Sequence, residues 1–427
     1  MPLKRYAQVG TGGRASFFYM TLVEDYKDTS EIVGFCDVNQ TRMNVANGRI
    51  ASAGAKKVPT YKSEDFDKMV KETKPDFVIV TTVDRTHHKY IIRAMELGCD
   101  VITEKPMTMD ETKCQEIVDA VKRTGRQVRV SFNYRYAPHN TKIRELIADG
   151  TIGKVTSVHF EWLLNTEHGA DFFRRWHRDK RNSGGLLVHK STHHFDLVNF
   201  WLDTQPETVF ALGSLAFYGR ANAESRGVTK FYSRAHGSEN AKDDPFALHM
   251  ESNPSLKELY LDAEHEDGYY RDQSVFGDGI SIEDTMGVMV RYRNNAILTY
   301  SQYCYAPWEG FRVNFNGTKG RIEMNVLEKS YVNAGGKAGA EGASAGTQVT
   351  VLPMFGKPYD VEIIEGKGGH GGGDPILLDD IFGEKKQDRF HRAASHVDGA
   401  MSILTGVAGN NSMRTGQVVQ IADLVKF

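Results

Sequence analysis

Cysteine is scarce: four residues in 427, Cys36, Cys99, Cys114 and Cys304, with no Cys-x-x-Cys pair among them. A chain this long buries enough surface to fold without covalent staples, so the four read as free thiols and a disulfide scaffold is excluded. An excess of one charge is also missing, since 53 Lys and Arg stand against 55 Asp and Glu, a formal net charge of −2. Without a basic field to hold a phosphate backbone or an anionic bilayer, nucleic acid and membranes are set aside as partners. Long hydrophobic runs are absent too: none approaches the ~18 apolar residues of a spanning helix. The opening Met1-Pro-Leu-Lys-Arg-Tyr passes into a strand-like segment with no signal-peptide core. The expectation is a soluble, cytoplasmic protein.

What is present is an ordinary globular composition, 40% hydrophobic and 25% charged, which excludes a disordered chain. The first 130 residues alternate short apolar runs with amphipathic stretches. Strands are expected at 5–9, 32–36, 77–81, 101–103 and 128–132, and helices at 14–25, 41–53, 87–97 and 111–123. That rhythm is a doubly wound parallel α/β sheet of the Rossmann type. Beyond residue 150 longer alternating runs appear at 154–162, 209–217, 286–292 and 296–303, the last two flanking a turn at Arg293-Asn294-Asn295. They predict a second α/β unit with a large, mainly antiparallel open sheet, one long helix near 185–202 and a closing helix at 397–408. The division is therefore 1–130 for nucleotide binding and 131–427 for substrate binding and oligomerisation. Residues 219–282 are polar with scattered aromatics, and 335–346 (GGKAGAEGASAG) reads as a small-residue surface loop.

Three groups of residues carry chemistry. The first strand runs into Gly10-Thr-Gly12-Gly13-Arg14-Ala15, a G-x-G-x-x-A turn. Gly10 permits the tight turn, Gly12 leaves room for a pyrophosphate, and the helix start offers free N–H groups. Asp37 ends the second strand 22 residues after Ala15, where its carboxylate can accept from both adenosine ribose hydroxyls. It would repel a 2′-phosphate, which favours NAD over NADP, while nearby Arg42 is the residue that could instead take a phosphate. Next comes Thr103-Glu104-Lys105-Pro106 at the carboxyl edge of the sheet, where doubly wound folds bind ligands. Lys105 can orient a hydroxyl, stabilise a developing alkoxide or relay a proton; otherwise it is a solvated strand-end charge.

The third group is Gly184-Gly-Leu-Leu-Val-His189-Lys190-Ser-Thr-His193-His194-Phe-Asp196. On a helix 189, 193 and 196 share one face, with Lys190 and His194 beside it. A histidine near neutrality can take a hydroxyl proton as hydride leaves the same carbon, with Asp196 orienting a neighbouring ring. Two alternatives remain, a metal held by His189 and His193 at i, i+4 and a satisfied polar helix face. No metal is carried forward as the expectation.

These motifs, with Thr81-Thr-Val-Asp-Arg-Thr-His87, Asn133-Tyr-Arg135-Tyr and the Gly184-Gly leading to His193-x-x-Asp196, resemble the glucose-fructose oxidoreductase/inositol dehydrogenase/MocA (Gfo/Idh/MocA) family over nearly the whole chain. The resemblance implies a Rossmann domain followed by an open-sheet domain whose outer face forms a dimer or tetramer interface. It implies a cofactor set of Gly10, Gly12, Gly13, Arg14, Ala15, Asp37, Arg42, Thr82, His87, Glu104 and Lys105. Substrate would be held by Lys105, Arg135, His177, Lys190 and His194, with Lys105 catalytic or orienting and His193 the general acid/base, assisted by His189. One departure stands out: the family's Asp four residues before the matched His is here His189. The expected activity is NAD-dependent oxidation of a secondary hydroxyl, at C3, of a sugar or glycoside. The alternatives are a redox-neutral glycosidase or lyase that retains NAD and passes through a 3-keto intermediate, and a non-catalytic dinucleotide sensor. Tyr269 to Gln273, Trp308-Glu309 and His370 to Asp374 are further groups able to recognise a sugar or to serve turns and core.

Overall fold

The computed structural model describes residues 2–329, 346–364 and 366–427; the loop expected at 335–346 lies outside them except for Gly346. Six parallel strands follow the βα rhythm: β1 (Lys4–Val9), β2 (Ser30–Asp37), β3 (Thr60–Lys62), β4 (Phe77–Val80), β5 (Asp100–Thr103) and β6 (Val128–Val130). Their spatial order is β3-β2-β1-β4-β5-β6, so the order reverses between β1 and β4 and opens a crevice at the strands' carboxyl ends. Both faces of β1 and β4 are covered, which is why Tyr6, Ala7, Val9, Val78, Ile79 and Val80 form near-continuous apolar runs. Between residues 4 and 132 the sequence reading misses the three-residue β3 and the helix Phe66–Thr73.

The second sheet has nine strands: β7 (Val155–Asn165), β8 (Pro206–Ser214), β9 (Thr285–Tyr292), β10 (Ile297–Ala306), β11 (Glu309–Gly317), β12 (Gly320–Lys329), β13 (Gly346–Pro353), β14 (Tyr359–Asp360) and β16 (Val419–Gln420). The short β15 (Ala394–Ser395) instead returns to the first sheet, antiparallel to β6. In the order β14-β13-β12-β11-β7-β10-β9-β8-β16 every neighbouring pair is antiparallel except β7–β10. Burial alternates along β9 and β10, so one face packs and the other is open. The turn between them passes through Asn295 at φ 67°, a conformation asparagine tolerates.

The packed face is covered by Thr192–Leu202 and by the closing helix His396–Thr415, which is longer than the expected 397–408. Ser395 caps it with a capping box to Asp398, and Gly416 in the left-handed region ends it. Of its three internal glycines, Gly399, Gly406 and Gly409, the middle one has a clear packing reason: a Cβ on Gly406 would stand 2.3 Å from the carbonyl oxygen of Leu187.

One expectation is corrected here. The helix foreseen over 185–202 is two pieces, Leu186–His189 and Thr192–Leu202, broken at Lys190-Ser191. The buried Ser191 hydroxyl turns to Tyr300 Oη (3.0 Å) and to the Gln302 side chain, a side-chain alternative to helical pairing. His189 and His193 still line one cleft, whereas Asp196 does not reach it and pairs with Arg135 instead.

Candidate active site

A single cleft of about 660 Å³ runs along the crevice, from Asp37 and Arg42, over the glycine turn, to Lys105, His177, His189 and His193. Gly10 sits at φ 89°, and a Cβ there would lie 2.6 Å from the Thr81 carbonyl carbon, so this glycine lets β1 close against the end of β4. A Cβ on Gly12 would lie 3.7 Å from Tyr260 Oη, which accepts a hydrogen bond from the Gly13 N–H (2.9 Å). The helix that follows, Ser16–Glu24, has no acidic residue in its first turn to neutralise its positive end. Asp37 accepts from the Thr11 N–H (2.5 Å) and hydroxyl (2.9 Å) on one oxygen and from the Asn39 N–H (2.9 Å) on the other. A tight turn, open space over Gly12 and a strand-end carboxylate fit an extended dinucleotide.

Arg14 crosses the middle of the cleft, pairing with Glu104 (2.7 Å) and standing 3.7 Å from Asp374. Asp374 also accepts from Asn133 Nδ2 (2.7 Å) and meets the His370 ring (3.0 Å), so residues 370–374 reach back over the Rossmann sheet. Burial works against the Asp374 charge, yet His370, Arg14 and Asn133 draw its pKa down to about 2. Both nitrogens of His87 face carbonyls, Pro106 O and Thr82 O, each at 2.9 Å. These contacts tie the segments after β4 and β5 together.

At the far end, His189 Nδ1 lies 2.6 Å from Asp84 Oδ2, both almost fully buried. Burial first, then His177, Lys105, Arg175 and Lys190, keep the His189 pKa well below the ordinary value, so the ring is neutral, and its Nδ1 shares a hydrogen bond with the Asp84 carboxyl. Burial also pushes Asp84 up, while Lys105 and Arg175 pull it back. His177 packs on His189 with ring centres 4.1 Å apart, stacks on Trp176, and is held neutral by burial and by Arg175, Lys105 and Arg271. The Lys105 ammonium approaches the His189 carbonyl at 3.5 Å. His193 enters from the Thr192–Leu202 helix, edge-on to Tyr134 at 4.9 Å between ring centres. Beside them Asp171 meets Arg271 (2.7 Å), Arg175 (3.2 Å) and Arg174 (3.8 Å), three guanidinium groups around one carboxylate.

Of the residues singled out from sequence, Gly10, Gly12, Gly13, Arg14, Asp37, Arg42, Thr82, His87, Glu104, Lys105, His177, His189 and His193 line this cleft. Four others do not. Ala15 is fully buried at the helix start. Arg135 makes a buried bidentate pair with Asp196 (2.6 and 2.8 Å) and a further one with Asp398 (2.9 Å), so it braces the scaffold instead of meeting a substrate, and Asp196 orients no ring. Burial lifts the Asp196 carboxyl to about 7 against the pull of Arg135. His194 stacks on Trp162 at 3.9 Å and meets Tyr300 Oη at 2.6 Å, and Lys190 lies 5.5 Å from the Trp162 ring. Both lie over the second sheet, against Trp162 of β7. Trp308 faces Arg312 on that sheet, away from the cleft, whereas Glu309 holds the cleft residue His168 (2.5 Å).

The reading missed Asp84, Tyr260 and Asp267. Asp84 was inside the quoted Thr81–His87 segment, its partnership with position 189 invisible without the fold. Among the described residues no group of three His, Cys, Asp or Glu side chains is arranged to hold a metal, and no helix is long and apolar enough to cross a membrane.

Comparison with known sequences decides the family. Residues 4–132 match the oxidoreductase family's NAD-binding Rossmann fold and residues 144–421 its C-terminal alpha/beta domain. The chain belongs to the Gfo/Idh/MocA family. Among Gfo/Idh/MocA proteins it is similar to the oxidoreductase YteT of Bacillus subtilis (strain 168), 38% identical over 415 residues, 95% of this chain and 94% of that one. It is 28% identical to D-glucoside 3-dehydrogenase of Escherichia coli (strain K12) over 151 residues, 35% of this chain and 41% of that one. A solved oxidoreductase domain protein from Kribbella flavida shares the fold, with TM-score 0.67 and 16% identity over 99% of this chain and all of that one. The chain is therefore an NAD-binding Rossmann oxidoreductase with a C-terminal alpha/beta domain.

Proposed function

We propose that this chain oxidises a secondary ring hydroxyl, at C3, of a sugar or glycoside, with NAD as cofactor. The carrying observation is that Lys105, His193 and the Asp84–His189 pair converge in the cleft that contains the glycine turn. Asp37 would hold the adenosine ribose, the glycine turn the pyrophosphate, and Glu104, paired with Arg14, the approach to Lys105. Bound NAD supplies the acceptor for the hydride that leaves the carbinol carbon. Lys105 anchors the substrate oxygen and His193 takes its proton, so carbon loses a hydride, oxygen loses a proton and a ketone results. His189 serves as a second acceptor: with Nδ1–H given to Asp84, its Nε2 is the basic atom, the arrangement by which a carboxylate fixes a histidine tautomer. This returns the carboxylate that the local sequence lacks beside His193, from the segment after β4. The C3 assignment draws support from the likeness to D-glucoside 3-dehydrogenase.

A second reading, transient oxidation with retained NAD and net loss of an aglycone, is favoured by one observation: Tyr260, Asp267 and Tyr269 of a distant loop line the cofactor part of the cleft, with Tyr260 bonded to the Gly13 N–H and Asp267 to Arg42. Incubation of the protein with NAD and a panel of glycosides separates the two. Stoichiometric NADH with ketone product supports the dehydrogenase; aglycone release with catalytic NAD and no NADH supports the glycosidase; neither change overturns both. For assembly, Leu212, Met289 and Ile297 expose an apolar band on the open face of β8, β9 and β10, where we place a second copy of the chain.

A further inference from the structure

The helix Gln40–Ser52 begins three residues after Asp37, so its first N–H groups open at the ribose edge of the cleft. In a dinucleotide fold this is where charge selects the cofactor: a carboxylate binds the ribose hydroxyls, whereas an arginine and an open helix start bind a 2′-phosphate. The parts of a phosphate seat are all here: the N–H groups of Gln40 and Thr41, the Arg42 guanidinium and the Lys62 ammonium. Each is taken by one distant loop. Glu266 accepts from the Gln40 N–H (2.6 Å) and Lys62 Nζ (3.0 Å) on one oxygen and from the Thr41 N–H (2.7 Å) on the other. Asp267 pairs with Arg42 Nη1 (2.5 Å), and the Leu259 carbonyl accepts from Arg42 Nε (3.0 Å). Asn39 Nδ2 donates to the Ala263 carbonyl (2.8 Å), which fixes the loop against the helix start.

We propose that Glu266 and Asp267 are specificity-determining residues that occupy the seat of a 2′-phosphate and so make the chain selective for NAD(H) over NADP(H), an inference that rests on the dinucleotide reading of the cleft. A phosphate dianion would have to displace two carboxylates from their donors and then lie beside them and Asp37. Burial raises the Glu266 pKa, yet the Thr41, Gln40 and Lys62 contacts bring it down to about 2, so the carboxylate keeps its charge at any working pH. The loop does for the 2′ position what Asp37 does for the hydroxyls, from 226 residues away.

The test is direct binding, followed by calorimetry and by the fluorescence of NADH and NADPH. The wild-type chain is expected to bind NADPH at least about tenfold more weakly than NADH. The Glu266→Ala/Asp267→Ala variant should raise NADPH affinity relative to NADH affinity by at least about tenfold. Equal wild-type affinities, or a variant that melts cooperatively yet gains nothing for NADPH, overturn the proposal. Should the double variant fail to fold, Glu266→Gln decides: a gain of about threefold for NADPH supports it and no gain overturns it. If neither dinucleotide binds the wild-type chain, the cofactor reading itself falls, a result distinct from equal binding of the two.

Discussion

At the adenosine end of the cleft, charges come as opposite pairs at hydrogen-bond distance: Glu266 on Lys62 and two N–H groups, Asp267 on Arg42. At the other end, two buried imidazoles, His177 and His189, are held neutral, with Asp84 as the nearby carboxylate and Lys105 as a cation at the edge. Pairing fixes an electrostatic shape and resists change of protonation, which suits recognition. A neutral buried imidazole keeps a ring nitrogen able to accept a proton, which is what proton transfer needs. The same fold builds both within one crevice because different loops finish each end.

The largest expected effect tests whether Arg135 belongs with the paired, supporting class. Arg135→Ala leaves Asp196 buried without its counter-ion and should cost about 3–5 kcal/mol of stability in denaturant unfolding, with KM of the remaining folded enzyme unchanged. A raised KM with unchanged stability would return Arg135 to the substrate. Next, Lys105→Ala should lower kcat about 10³-fold while NADH binding by fluorescence is retained, since the ammonium acts at the chemical end alone. Third, Asp84→Asn should lower kcat about 10²-fold, and His189→Asn in that background should add little, because two groups acting as one unit are not additive. Additive losses would separate the pair.

The smallest effect is on pH dependence of stability. Burial lowers His139 from the ordinary 6.5 to about 4 and keeps His177 and His189 below 6.5 as well. A depressed folded pKa means the unfolded chain binds the extra protons, so stability is full above pH 6.5 and is lost as pH falls toward 4. Melting temperatures taken across that range should fall steadily on acidification, and less steeply in His177→Asn; parallel curves would place His177 among groups that charge freely.

The glycine turn, Asp37, Lys105 and His193 were legible because each is a local signal: a strand end, a turn and a residue type at fixed spacing. The parallel and antiparallel halves were legible for the same reason, from apolar periods. The Asp84–His189 contact spans 105 positions and the Arg135–Asp196 pair 61, so no spacing rule reaches them. Lys190 and His194 were misplaced because spacing along the chain does not show that Trp162 and Tyr300 of the second sheet receive their side chains. The polar stretch 219–282 showed no period, and Glu266 acquires its role only when the loop folds back onto the helix start at Gln40.

By itself the sequence determined where backbone turns and which faces are apolar, and with them the crevice and the motifs on its rim, since these depend on steric and hydrophobic rules acting over a few residues. Which charges meet was decided only in three dimensions. Coulomb attraction and hydrogen bonding act through space, and the partners of Arg42, His189 and Arg135 arrive from loops and helices that the chain order leaves far apart.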